Sequence, residues 1–145
     1  MGYEWRFDVL WEYKAVFGVG VLGTLGLTGI SMLIGLILGI PVGIGRLSQS
    51  RLIKFLSGAF IEVFRDTPII VQLVWVYYCF PILTGIRLSA WTAAILAMSI
   101  HATAYLAEVY RAGIGSIDKG QIEASRAVGM SRWQSMKRII LPQAI

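Results

Sequence analysis

Long apolar stretches alternate with short charged ones along this chain. No charged residue occurs between Ala15 and Gly45, and two more apolar runs follow before the polar C-terminal stretch. A hydrocarbon core about 30 Å thick takes about 20 apolar helical residues, so runs of this length predict membrane-spanning helices. The first run is too long for a signal peptide and follows acidic residues. We predict three spans, at about 15–45, 68–84 and 90–110.

A more polar segment separates the first two spans. It predicts an interfacial helix at about 52–64, in which the stretch 55–64 is apolar except for the single charge of Glu62. The helix is expected to break near Pro68. Asp66 or Thr67 should then cap the next helix, because a side-chain oxygen at that place can accept from free backbone N–H groups and proline fits the first turn.

The last stretch, about 116–142, is polar and basic and has the pattern of two short helices. A turn is expected at 117–120, followed by a helix over 121–128. Gly129 is predicted to end that helix in a left-handed conformation, which glycine adopts without strain. Ser131 is predicted to cap a second helix over 132–141, with Pro142 at its far end. Such a pair would form a compact knob at the end of the apolar spans.

Composition agrees with a membrane protein and excludes an ordinary soluble domain. Of 145 residues 57% are hydrophobic and 14% are charged, with a mean hydropathy of +0.71. Soluble domains carry about 25% charged residues. The net charge of +5 would also suit nucleic acid, but the basic residues lie in short connections between apolar runs. We therefore expect an all-α membrane protein that binds no nucleic acid. Cys79, the one cysteine, can form neither an intrachain disulfide nor a zinc site.

Alternate connections are basic, which predicts the topology. The segment before Ala15 has two basic and three acidic residues, whereas 46–54 has three basic residues and no acid. The stretch from Arg111 onward is also basic. The positive-inside rule then places the N-terminus outside and both basic segments in the cytosol.

Small and polar residues within the spans suggest contacts and a pathway. Gly35, Gly39 and Gly43 share one helix face and predict close helix packing. Glu108 and Arg111 are three apart and are expected to face each other. Polar residues in spans are functional candidates by default, and the candidates for a pathway or its cytosolic gate are Glu62, Arg65, Asp66, Gln72, His101 and Thr103.

Structural alternatives apply to these candidates. Glu62 and Arg65 could be residues of an ordinary salt-bridged interfacial helix. His101 could be a buried ring bonded to a carbonyl, and Gln72 and Thr103 could be hydrogen-bonded glue between helices.

Three motifs resemble one transporter family. Glu123-Ala124-Ser125, three residues, Gly129, nine residues and Ile139-Ile140-Leu141-Pro142 resemble the EAA loop of permease subunits of bacterial ABC importers, with a departure from the family pattern at Ser125. The stretches 60–72 and 104–114 resemble the polar amino-acid branch of that family. The resemblance implies the MetI-like permease fold, whose members usually have further spans after this loop, so the sequence looks like a fragment or a natural truncation.

The resemblance also implies roles and partners. The EAA loop would lie in the cytoplasm and couple to an ABC ATPase subunit through Glu123, Ala124, Ser125, Gly129, Leu141 and Pro142. Further expected partners are a second permease subunit, the same or related, an extracytoplasmic solute-binding protein and lipid of the bacterial inner membrane. ATP chemistry would belong to the ATPase, because no phosphate-binding loop occurs here. The sequence shows no catalytic set, cofactor site or metal-ligand spacing.

The expected function is therefore to form the translocation pathway for polar amino acids by alternating access. Two alternatives remain at this point. The chain could be a membrane adaptor or regulator that docks an ATPase without transporting, and the loop could simply lie on anionic lipid.

Overall fold

The computed structural model describes residues 7–144, and every regular element in that range is helical. A short helix α1, Asp8–Glu12, leads into α2, Lys14–Arg46. Helix α3, Arg51–Asp66, is followed by α4, Ile69–Thr84, whose middle turn Trp75–Cys79 is π-helical. Then come α5, Ala90–Gly115, and α6, Lys119–Ala127. The last element, α7 (132–144), joins Arg132–Ser135, a π turn Met136–Ile140 and Leu141–Ala144.

Two of these helices, α2 and α5, are long and apolar enough to cross a membrane, with 33 and 26 residues. Helices α3 and α4 meet at a bend of 103° and together could make one broken span. Helix α4 alone is about 24 Å long, which is less than the hydrocarbon core of about 30 Å. The segment predicted as the second span is therefore helical, but its helix is short and meets α3 at a sharp angle.

Small residues bring α2 and α5 into close contact. Gly35, Gly39 and Gly43 are buried on α2, and they face Ala102, Leu106, Ala107 and Tyr110 of α5. A Cβ atom added at Gly43 would lie 2.6 Å from the carbonyl oxygen of Ala107. Helices in lipid gain little from the hydrophobic effect, so this close approach, with its many van der Waals contacts, is what holds the pair together.

The break between α3 and α4 differs from the sequence prediction. Thr67 was expected to cap α4, but its hydroxyl donates backward to the Val63 carbonyl of α3 at 2.6 Å. Helix α4 begins after Pro68 with no side-chain cap bond, and Asp66 is the last residue of α3. The cap prediction for Asp66 and Thr67 is therefore wrong. Pro68 carries no N–H, so the first turn of α4 has one donor fewer to satisfy.

The C-terminal segment follows its local signals closely. Asp118 caps α6, since its Oδ1 accepts from the Gly120 N–H at 2.6 Å, and α6 begins at Lys119 within the predicted turn. Gly129 has a φ of +82°, which confirms the predicted left-handed stop. Ser131 and Gln134 form a reciprocal capping box at the start of α7, which confirms the predicted cap. Helix α7 continues past Pro142 to Ala144.

Candidate functional site

The two C-terminal helices form one hydrogen-bonded unit, here called the knob (119–144). At the end of α6 the Gly129 N–H donates to the Arg126 carbonyl at 2.9 Å, and the Met130 N–H donates to the Ser125 carbonyl at 3.0 Å. These two bonds are the Schellman pattern, which satisfies carbonyls that a helix end would leave free. Together with the capping box at Ser131, they fix how the chain passes from α6 to α7.

A buried serine pair fastens the knob from inside. Ser125 is 1% exposed, and its hydroxyl donates to the Ile122 carbonyl at 2.7 Å. The Ser135 hydroxyl of α7 lies 2.7 Å from the same oxygen, which leaves Ser135 to donate and Ser125 to accept. The residue at which the motif departs from the family pattern is therefore matched by a polar partner, so burying its hydroxyl leaves no unmet hydrogen bond.

Helix α6 has two different faces. At about 100° per residue, Ile122 and Arg126 lie together on one side, and both line a cavity beneath the knob. Glu123, Ala124 and Ala127 lie on the other side and are exposed. The outward face thus has small side chains beside one carboxylate, which would let another helix or groove approach closely.

The far end of the knob contacts the membrane bundle. Leu141 is half-buried and Pro142 is exposed, and the carbonyl of Ala144 packs against Gly113 of α5. A Cβ atom at Gly113 would lie 2.5 Å from that oxygen. Leu141 and Pro142 therefore come just before the residue that contacts α5, and the outward face of α6 is a different part of the knob.

A cluster of charges ties the ends of three helices together. Arg46 of α2 pairs with Glu62 of α3 at 2.7 Å. Glu108 of α5 accepts two bonds from Arg111, at 2.7 and 2.8 Å, which confirms that these two residues face each other. Arg65 of α3 lies 3.9 Å from Glu108. We call Arg46, Glu62, Arg65, Glu108 and Arg111 the charge cluster.

This cluster identifies the ionic partners of Glu62 and Arg65. Glu62 and Arg65 do not pair with each other along α3, because each has its ionic partner on another helix, Arg46 or Glu108. Arg65 also lies 5.4 Å above the ring of Tyr105, within range of a cation–π contact. Asp66 is exposed and makes no ion pair with any described residue.

A buried amide joins the bend to α5. Gln72 is 5% exposed, and its Nε2 donates to the carbonyls of Phe64 at 2.8 Å and Thr67 at 2.9 Å, at the end of α3. The same nitrogen is 3.1 Å from Nδ1 of His101 on α5. Gln72 therefore does link helices. The partner of His101 is a side-chain amide and not the expected carbonyl.

The hydroxyl of Thr103 bonds within its own helix. Its hydroxyl donates to the Ser99 carbonyl within α5 at 2.7 Å, so the interpretation of Thr103 as glue between helices is wrong. Within residues 7–144 no group of three His, Cys, Asp or Glu side chains could hold a metal ion.

Sequence reasoning missed several residues of this arrangement. Val128, at the tip of the knob, is 73% exposed, and Trp133 of α7 is 69% exposed. The available signal for both was a large apolar side chain within a polar segment. Ser135 had none, because its partner lies ten residues away on another helix.

Comparison with known proteins assigns the family. Residues 16–145 match the sequence model of the binding-protein-dependent transport system inner membrane component family, and the chain belongs to this family of membrane permeases. It is 36% identical to a putative glutamine transport system permease protein of Rickettsia conorii, over 92% of this chain and 62% of that protein. It is 41% identical to an arginine transport system permease protein of Bacillus subtilis, over 86% of this chain and 57% of that one.

Solved structures agree on the fold, which is an all-α membrane fold of the MetI-like type. An amino acid ABC transporter superposes with a TM-score of 0.88 at 36% identity, covering 98% of this chain and 66% of that chain. The inward-facing MetNI methionine ABC transporter superposes with a TM-score of 0.76 at 27% identity, covering 97% and 66%. The chain thus spans about six tenths of the relatives' length and two thirds of the structures.

Proposed function

We propose that this chain is the permease part of an ATP-driven importer of polar amino acids, located in the inner membrane with the knob in the cytoplasm. Its family and its likeness to glutamine and arginine transport permeases support the substrate class. A cytosolic ABC ATPase would bind the knob. A second permease subunit would complete the pathway, and a solute-binding protein would deliver substrate from outside.

The construction of the knob is the observation that carries this proposal. Its joint is fixed by the turn at Gly129 and by the Ser125–Ser135 pair, so it can move as one body. Its outward face, with Glu123 and Ala124, is exposed and small enough to enter a groove. Its other end contacts α5 at Gly113. A push on the outward face would therefore reach a membrane-spanning helix directly.

The charge cluster is the second feature that supports the proposal. In alternating access, nucleotide and substrate must stabilise different conformations of the bundle. The ion pairs of Arg46 with Glu62 and of Glu108 with Arg65 and Arg111 hold the ends of α2, α3 and α5 together in this structure. We assign them to the cytosolic gate, which would part when the knob moves α5. Gln72 and His101 would hold the α3–α4 bend to α5 during that motion.

The test uses the full chain reconstituted in proteoliposomes with the ATPase and binding protein of its own transport system. The variant Ala124→Trp places a large ring on the outward face and is expected to lower ATPase co-purification about tenfold, a loss of about 1.4 kcal/mol. The control Lys137→Trp adds the same ring at an exposed position of α7. It should leave co-purification unchanged.

Substrate-stimulated ATP hydrolysis separates transport from docking. A transporting permease stimulates its ATPase when loaded binding protein is added, and Ala124→Trp should remove that stimulation. A wild-type chain that retains the ATPase but gives no stimulation would be an adaptor, which would contradict the transport proposal. Equal retention of the ATPase by both tryptophan variants would contradict the docking face.

A further inference from the structure

A large cavity lies between the knob and the ends of the two long helices. Its volume is about 1020 Å³. One wall is the last turns of α2, including Ile44, and of α5, including Ile114. The opposite wall is the inner side of the knob, with Ile122, Trp133 and Met136. The cavity therefore lies at the level where the membrane-spanning helices end, which is where lipid headgroups meet water.

The charges that line this cavity have one sign. Among the described residues that line it, Arg126 and Arg132 are the charged ones and none is Asp or Glu. Neither arginine makes an ion pair with any described residue. Two cations that line one cavity, with no ion-pair partner among the described residues, create a potential that attracts an anion. Ser48 and Ser50 of the turn after α2 add hydroxyl groups to the same lining.

The rest of the lining is apolar, and this restricts the anion. Aliphatic side chains of α2, α5 and the knob form most of the wall, and Trp133 is 69% exposed beside them. A small inorganic anion gains no hydrophobic stabilisation from such walls. An acyl chain would pack along the aliphatic side chains and shield them from water. Tryptophan at this depth is typical of the boundary between headgroups and hydrocarbon.

We propose that this cavity binds an anionic phospholipid, with the phosphate at Arg126 and Arg132 and an acyl chain along the aliphatic wall. Basic pockets between helices on the cytoplasmic side of membrane proteins suit such headgroups. The two faces of α6 then have different partners: Arg126 faces lipid, and Ala124 faces away from it. The lipid would hold the knob against the bilayer whether or not an ATPase is bound, so this proposal does not depend on transport.

The test measures lipid retention by native mass spectrometry of the full chain in detergent, titrated with phosphatidylglycerol or with phosphatidylcholine. The wild type should retain phosphatidylglycerol preferentially. The double variant Arg126→Gln/Arg132→Gln should bind it about tenfold more weakly, since each basic residue near a membrane surface contributes to the attraction. The matched control is Lys137→Gln/Arg138→Gln, which removes the same charge from exposed positions of α7 outside the cavity.

A second variant tests the cavity without changing charge. Ile53→Trp fills space in the lining and should weaken phosphatidylglycerol retention while both arginines remain, so the proposal stays testable if the double variant fails to fold. The proposal is overturned by equal loss in the two double variants, by equal retention of phosphatidylcholine in the wild type, or by unchanged retention in Ile53→Trp. Displacement of the lipid by inorganic phosphate alone would instead identify a free-anion site and would also overturn it.

Discussion

Gly85 and Gly129 both have a positive φ, of +73° and +82°, and a Cβ atom at either would meet no atom within 4 Å. Valine at either site would therefore suffer the backbone penalty of about 1–2 kcal/mol, and its Cβ atom would meet no neighbour. We predict that Gly129→Val changes how α6 and α7 meet and abolishes substrate-stimulated ATP hydrolysis in proteoliposomes, while the chain still inserts in the membrane.

Gly85→Val is the matched control, because it imposes the same kind of strain in the turn before α5, at a distance from the knob along the chain. It should keep the stimulation. Loss of stimulation in both variants would mean that strain alone is responsible, and full stimulation in Gly129→Val would show that the joint is not needed for coupling.

The hydrogen bond between Ser125 and Ser135 has a coupling energy that can be measured. Ser125→Ala leaves the buried Ser135 hydroxyl without its acceptor and should lower the free energy of unfolding by about 1 kcal/mol. Ser135→Ala should cost less, because Ser125 still donates to Ile122. A double-mutant cycle by thermal unfolding in detergent should then give a coupling of at least about 0.5 kcal/mol. If the losses of unfolding free energy were additive, the hydrogen bond between the two serines would not stabilise the knob.

At the residue scale, the sequence predicted partners well along a helix and poorly between helices. The pairing of Glu108 with Arg111 and the cap at Ser131 depend on positions three apart on one element, where geometry is nearly fixed. The partners of Glu62 and Thr103 were not predicted, because the choice between a neighbour on the same helix and one on another depends on tertiary packing. That packing leaves no local pattern in the sequence.

At the scale of elements, the contact between α2 and α5 is the main internal surface. Gly43 is buried, and a Cβ there would meet Ala107 and Tyr110, whereas a Cβ at Gly29 of the same helix would meet nothing within 4 Å. We predict that Gly43→Leu separates the helices and lowers the thermal unfolding midpoint by several degrees. Gly29→Leu should leave it unchanged or raise it slightly, since leucine favours helix over glycine. Equal midpoints would contradict the packing interpretation.

Helix ends were predicted with different success for physical reasons. Gly129 and Ser131 carry local signals, and the structure has the expected geometry at both. Helix α7 extends beyond its predicted end at Pro142 because a π turn, Met136–Ile140, precedes the proline. A similar turn, Trp75–Cys79, precedes Pro81 in α4. A wider turn moves the carbonyl four residues back away from the proline ring, so the helix continues where a standard turn would clash.

At the scale of the whole molecule, the charge cluster and the knob lie at the same end of the bundle. The knob contacts α5 at Gly113, two residues beyond Arg111, and Arg111 holds Glu108. Movement of the knob therefore reaches the cluster through a single helix. Glu108 pairs with Arg65 of α3 and with Arg111 of its own helix, so it carries the ion pair between α3 and α5.

Neutralising that carboxylate tests this route. In Glu108→Gln, Arg65 and Arg111 lose their ionic partner, and since the side chain of Glu108 is 27% exposed, the loss of stability should be near 1 kcal/mol. We predict that loosening this end of the bundle raises ATP hydrolysis without substrate and reduces the added stimulation by substrate, each about twofold or more. The control Asp66→Asn removes a charge one turn from Glu62, at an exposed site that pairs with no described residue. If the two variants hydrolyse ATP alike, the cluster is an interfacial charge network and the gate must be sought elsewhere.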